Sequence, residues 1–261
     1  MVRLQCGKDV VSCRGIVFDK DGRIIDSMKI WPELIAIRVR RLQQKIGFSQ
    51  EVAVLVKKVM GLDGNNEIIG RSVIVIGTRE QTASAVNGIL FLYHNVAWDL
   101  GLEAILESFK EADLELGLEY QALPIPGTKE MMRDLAASGL KIAVATNDSL
   151  ERTKSLMECA GLAPFISAYA CRDEVTEGKP SPDLMHLACE RMGLEAEQCV
   201  MVGDSILDLK MALNAGKSVE TIGVLTGASK TEDFVNYTQI VLPSVADIRP
   251  VGKNESESWN D

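Results

Sequence analysis

The sequence has 261 residues, of which 46% are hydrophobic and 25% charged, a composition that supports a substantial core and excludes a disordered or fibrous chain. Its net charge of −9 argues against nucleic acid as a partner, because phosphate backbones are held by clustered Lys and Arg. An anionic ligand would need a local focus of positive charge.

The predicted elements begin with an apolar strand over Gly15 to Phe18 that ends in Asp19-Lys20-Asp21-Gly22. From about Trp31 to Leu118 apolar residues recur mostly at helical spacing, as in Ile30, Leu34, Ile37 and Leu42, and again in Ile89, Leu92, Val96 and Leu100, which predicts a helical insert. Within it, Ser72 to Ile76 is a β-branched run compatible with a short strand, and Arg38-Val39-Arg40-Arg41 reads as a solvated helix face. Leu123-Pro124-Ile125-Pro126-Gly127 marks the return to the main domain.

After that punctuation a helix over Thr128 to Ser138 precedes a strand over Lys141 to Ala145, and a helix over Leu150 to Cys159 precedes a strand over Ile166 to Ala170. Pro182 to Met192, Cys199 to Gly203, Ile206 to Ala215 and Val219 to Val224 continue the alternation. This order predicts an α/β fold, a Rossmann-like parallel sheet core (residues 1–23 and 124–248) with an inserted helical domain (24–123). The polar stretch from Arg249 to Asp261 has little to bury and is expected to be disordered.

Ligands of open parallel sheets bind beyond the carboxyl ends of the strands, and four polar groups stand there. Asp19 and Asp21, two residues apart, would leave an extended strand on one face, and their mutual repulsion calls for a cation. Asp204 and Asp208, one helical turn apart, would add two more carboxylates, giving a hard oxygen set suited to Mg²⁺. Lys179, the Thr146 hydroxyl and main-chain N–H groups near Asn147 are natural holders of phosphate oxygens.

The segments Val17-Phe18-Asp19-Lys20-Asp21-Gly22, Ala145-Thr146-Asn147-Asp148, Gly178-Lys179-Pro180-Ser181-Pro182-Asp183 and Val202-Gly203-Asp204-Ser205-Ile206-Leu207-Asp208 resemble, in order, the four motifs of the haloacid dehalogenase-like hydrolase superfamily. The size and place of the insert resemble the helical cap of its phosphoglycolate phosphatase-like branch. The resemblance implies a phosphatase in which Asp19 attacks phosphorus and Asp21 serves as general acid and base. It implies Mg²⁺ held by Asp19, the main-chain carbonyl of Asp21 and Asp204, with Asp208 acting directly or through water, and Lys179, Thr146 and Asn147 on the phosphoryl oxygens. One residue departs from the pattern: Arg23 stands where the family usually has Thr, either adding positive charge at the mouth or pointing into solvent.

The expected partner is a small phosphorylated metabolite, with no nucleic acid or membrane, the chain being a monomer or homodimer. A sugar-phosphate mutase or other phosphotransferase would share the same carboxylates, and a non-catalytic binding protein of the same fold is the alternative from another class. The six cysteines include no C-x-x-C pair, so zinc is not expected and buried thiols are. The N-terminal residues carry no apolar signal core and no apolar stretch is long enough to cross a bilayer, which makes the cytoplasm the expected location.

Overall fold

A computed structural model of the chain describes residues 1–70, 72–227 and 229–251. They fall into two compact units, one of Met1–Ile25 with the described residues from Pro124 onward, the other of Asp26–Leu123.

The first unit opens with an antiparallel hairpin that periodicity had not flagged, β1 (Val2–Cys6) and β2 (Asp9–Cys13). Leu4, Cys6, Val11 and Cys13 alternate inward, and Gly7 takes a φ of +65° in the two-residue turn, a conformation open to glycine at no steric cost. β3 (Gly15–Phe18) follows, wholly buried, as a continuous apolar run must be in a sheet covered on both faces.

The second unit is helical: α1 (Ser27–Ile46), α2 (Gln50–Met60), α3 (Val73–Ile76), α4 (Arg79–His94), α5 (Trp98–Leu116) and α6 (Leu118–Gln121). Its core gathers Ile35, Val39, Leu42, Val56, Leu90 and Phe109. The β-branched run at Ser72 to Ile76 is a short helix, not a strand. Its N–H groups find local acceptors, Ile76 N donating to Ser72 O and Gly77 N to Val73 O. Arg38 is buried rather than solvated: its guanidinium lies 4.2 Å from the Phe109 ring centroid and pairs with Asp113 at 3.4 Å, while Arg40 and Arg41 face outward onto Glu115.

The first unit then resumes with α7 (Thr128–Ala137), β4 (Lys141–Thr146), α8 (Leu150–Cys159), β5 (Ala168–Cys171), α9 (Asp183–Met192), β6 (Cys199–Gly203), α10 (Ile206–Ala215), β7 (Glu220–Val224), α11 (Thr231–Phe234), β8 (Ile240–Leu242) and β9 (Ile248–Pro250). Six strands form a parallel sheet in the order β5-β4-β3-β6-β7-β8. β5 starts two residues later than the Ile166 expected, since Ala163–Phe165 forms a 3-10 turn. β9 pairs with β1, Gln5 opposite Arg249 and Leu4 opposite Pro250, so the ordered chain runs past the expected boundary at Arg249. The rest of the expected disordered tail, 252–261, lies outside the described residues.

Among the described residues no helix is long and apolar enough to cross a membrane.

Candidate active site

The chain leaves β3 toward β4 and β5 on one side, then returns to β6, β7 and β8 on the other. The carboxyl ends of β3, β4 and β6 therefore converge at the point where strand order reverses, the crevice in which open α/β sheets bind ligands. Asp19 follows β3, Thr146 ends β4 and Asp204 follows β6.

Asp204 is held by close backbone approach. A Cβ on Gly22 would stand 2.3 Å from Asp204 Oδ2, and one on Gly227 only 1.3 Å away. Gly22 also has a φ of +78°, so the Asp-Gly pair of the first motif is a steric requirement. The Thr226 hydroxyl donates to the Gly22 carbonyl, which ties the loop after β7 to the loop after β3.

Asp208 sits at the third position of α10 in a capping box, where Ser205 N donates to its Oδ2 at 3.1 Å and the Ser205 hydroxyl at 2.8 Å. That location orients the carboxylate and favours its negative charge. Carboxylate oxygens of Asp19, Asp204 and Asp208, all buried, lie within 4.8 Å of one another.

Two internal cations face this cluster. Lys179 Nζ lies 2.8 Å from Asp19 Oδ1 and 2.7 Å from Asp208 Oδ1. Arg23, 2% exposed, sets one terminal nitrogen, Nη2, 2.6 Å from Asp19 Oδ2 and 2.7 Å from Asp204 Oδ1, and against Asp208 Oδ2 as well. Its other terminal nitrogen, Nη1, donates to the main-chain carbonyl of Asp21. Neither position anticipated for Arg23 is found, because the i, i+4 step from Asp19 turns its side chain inward onto the carboxylates.

Burial is the largest influence on Asp19 and raises its pKa against the attraction of Arg23 and Lys179. Asp204 is pushed up to about 7, again by burial first, with Arg23 opposing and Asp208 and Asp19 adding to the rise. At Asp208 burial also pushes upward, but the charges and hydrogen bonds of Arg23 and Lys179 outweigh it and hold the carboxyl below its usual range.

The Asp21 carboxylate is not one of the three clustered acids, and Lys20 Nζ lies 2.7 Å from its Oδ2. Lys20 is itself buried and reaches Asp148 at 3.3 Å, and Arg152 Nε lies 3.1 Å from that carboxylate. Lys20 and Asp148 stand inside the quoted motifs but had been given no role. A cation adjoining the acid/base candidate in sequence is a signal that could have found Lys20, whereas Asp148 meets it only through the fold. Thr146 is buried, its hydroxyl accepting from Asp148 N at 3.2 Å. The side-chain oxygen of Asn147 accepts from Lys179 N at 3.2 Å, linking the loop after β4 to the one that carries the lysine. Asp19, Asp204, Asp208 and Lys179 thus meet directly, and Asn147 joins them through the main chain of Lys179.

This parallel sheet, with carboxylates and a lysine gathered at its switch point, defines an α/β protein whose candidate site is built on aspartates. The model of the haloacid dehalogenase-like hydrolases matches residues 13–216, and the chain belongs to that family. Among its relatives, an N-acetylmuramic acid 6-phosphate phosphatase of Pseudomonas putida is 25% identical over 246 residues, covering 91% of this chain and 95% of that protein. A phosphoglycolate phosphatase of Neisseria meningitidis is 28% identical over 203 residues, covering 78% and 77%. The crystal structure of a predicted phosphoglycolate phosphatase from Haemophilus somnus shares the fold, with a TM-score of 0.69 at 19% identity over 91% of this chain and 96% of that one.

Proposed function

We propose that this protein is a Mg²⁺-dependent phosphatase that hydrolyses a small phosphomonoester through an aspartyl-phosphate on Asp19. The observation that carries the reading is Asp19 itself, buried at the carboxyl end of the central strand β3 with the Lys179 ammonium 2.8 Å from its Oδ1. Family membership and relatives named as phosphatases support it.

In the proposed first step an Asp19 oxygen forms a bond to phosphorus as the ester P–O bond breaks, and Asp21 gives its proton to the departing alkoxide. In the second, Asp21 takes a proton from water as the water oxygen attacks the aspartyl-phosphate, releasing phosphate and restoring Asp19. Lys179, Thr146 and Asn147 are assigned to the phosphoryl oxygens, where fixed positive charge and donors lower the barrier most. Lys20 positions Asp21. The helical unit is assigned the role of a cap that contributes selectivity.

The hard carboxylate oxygens of Asp19, Asp204 and Asp208, within 4.8 Å of one another, suit Mg²⁺ in kind and number, and the main-chain carbonyl of Asp21 is the fourth ligand assigned. Bound there, the ion would supply charge neutralisation for the phosphoryl group.

Phosphate release from a panel that includes 2-phosphoglycolate, N-acetylmuramic acid 6-phosphate and sugar phosphates, with Mg²⁺ and with chelator, tests this reading. Asp19→Asn should lower the rate by at least about 10³-fold, since removing a covalent nucleophile costs several kcal/mol of barrier, while the circular dichroism spectrum is unchanged. A near-wild-type rate in Asp19→Asn would reject Asp19 as nucleophile. Transfer to a sugar acceptor in place of phosphate release would convert the assignment to a phosphotransferase.

A further inference from the structure

Three carboxylates, Asp19, Asp204 and Asp208, share a single Arg23 nitrogen, Nη2. That nitrogen has two hydrogens to offer, so one acid always lacks a donated N–H from it. On the same side chain, Nε is buried without a hydrogen-bond partner, a cost that full satisfaction of the guanidinium would have removed. The other terminal nitrogen, Nη1, engages the Asp21 carbonyl. The side chain thus touches every oxygen group assigned above to the divalent ion.

Charge leads to the same place. Even with all three carboxylates ionised, Arg23 and Lys179 leave a single net negative charge, too little to hold a dication tightly. With Arg23 gone, Lys179 alone leaves two, which matches one Mg²⁺. The space is also single: Mg²⁺ sits about 2.0–2.1 Å from its oxygens, and Nη2 lies 2.6–2.7 Å from those of Asp19 and Asp204, so the ion and the nitrogen exclude each other.

We infer that Arg23 is a tethered cation that competes with the divalent metal ion for the Asp19, Asp204 and Asp208 oxygens, so that metal binding and departure of Arg23 are one event. The inference rests on the proposed metal-dependent phosphatase reading. Without the ion, Arg23 holds the acid cluster together and engages one oxygen of the proposed nucleophile. With it, the side chain leaves and that oxygen turns to the metal. The substitution of Arg for the family's usual Thr is in this account a device that weakens metal affinity and makes occupancy respond to metal concentration.

Two measurements test it. The first is Mn²⁺ binding followed by electron paramagnetic resonance of the free ion, in wild type and in Arg23→Thr, with Arg23→Gln beside it should the threonine variant fail to fold. Removal of a competing unit charge from a buried site should tighten Mn²⁺ binding by about tenfold or more. Equal affinities, or no binding to either protein, would overturn the inference.

The second needs no variant. Phenylglyoxal modification of Arg23 in wild type, mapped by mass spectrometry with the other arginines as internal standard, should be slow in chelator and rise with Mg²⁺. Protection of Arg23 that persists when Mn²⁺ is bound would also overturn it. Phosphate release reports separately: hydrolysis undiminished by chelator sinks the metal competition while leaving a phosphatase, whereas tighter Mn²⁺ binding in the variant with no hydrolysis of any ester sinks the phosphatase reading alone.

Discussion

Gly22 shows how little freedom single residues have at the carboxyl end of the sheet. An added Cβ would stand 2.3 Å from Asp204 Oδ2 at a φ of +78°, so Gly22→Ala combines backbone strain with displacement of a cluster carboxylate. It should destabilise the fold by about 1–2 kcal/mol from the left-handed backbone alone, read from urea midpoints, and reduce phosphate release further than that loss of folded protein explains. Glu174 offers a cleaner electrostatic test away from the site. Arg191 forks onto it at 2.9 and 3.0 Å, and this pairing holds its carboxyl below the usual range against a smaller effect of burial. Because the folded value lies below the unfolded one, the stability it contributes is present above an unfolded pKa of about 4.3 and is lost as pH falls through the folded value. Glu174→Gln should therefore be about 0.5–1 kcal/mol less stable than wild type at pH 7, a range already reduced for solvent screening of the half-exposed arginine, with the gap closing in acid.

At the scale of elements, the second motif illustrates what a cap does before any chemistry. Ser149 accepts from Arg152 N and starts α8 directly after Thr146 and Asn147, so a stable helix start keeps those side chains at the end of β4. In the helical unit, Thr78 and Gln81 form a reciprocal capping box on α4. Thr78→Ala should cost about 1 kcal/mol, measurable as a lower unfolding midpoint, with no direct effect on the carboxylate cluster. α4 also shows why helical spacing in a sequence can be assigned to the wrong face. Ile89, Leu92, Val96 and Leu100 suggested one stripe, yet Leu92 and Leu100 are exposed and Ala83, Val86 and Leu90 are buried. Asn95 at a φ of +53° ends α4, so the supposed stripe crosses two helices. Asn87 fixes their approach by donating to the Trp98 carbonyl at 2.7 Å, a tertiary contact that no periodicity encodes.

For the whole molecule, the topology sorts the six cysteines. Cys6, Cys13, Cys171, Cys189 and Cys199 are buried and Cys159 is exposed, so the expectation of buried thiols holds for all but one. Burial pushes Cys6 up to about 11 and Cys13 and Cys171 to about 12, which removes the reactive thiolate at neutral pH. A thiol reagent should titrate one cysteine quickly in the native protein and all six after denaturation. Rapid reaction of more than one would contradict the packing around β1, β2, β5, α9 or β6.

The fold class and the acidic motifs were legible because each is local: a buried parallel strand reads as an unbroken apolar run, and the polar residue after it falls at the open end of the sheet whatever the neighbouring strand. The hairpin of β1 and β2 was also written locally, in two alternating runs around Gly7, but each run is short and half exposed and gives a weak signal. What no local pattern carried was the partnership of side chains from distant strands. Whether Arg23 meets solvent or three carboxylates depends on β3 lying beside β6, a pairing between residues almost two hundred positions apart. Burial of Arg38 likewise depends on Phe109 and Asp113 arriving from another helix. The sequence by itself determined where the chain could place charge. Tertiary structure decided which charges face each other, because Coulomb energy in a desolvated site depends on distance through space and not along the chain.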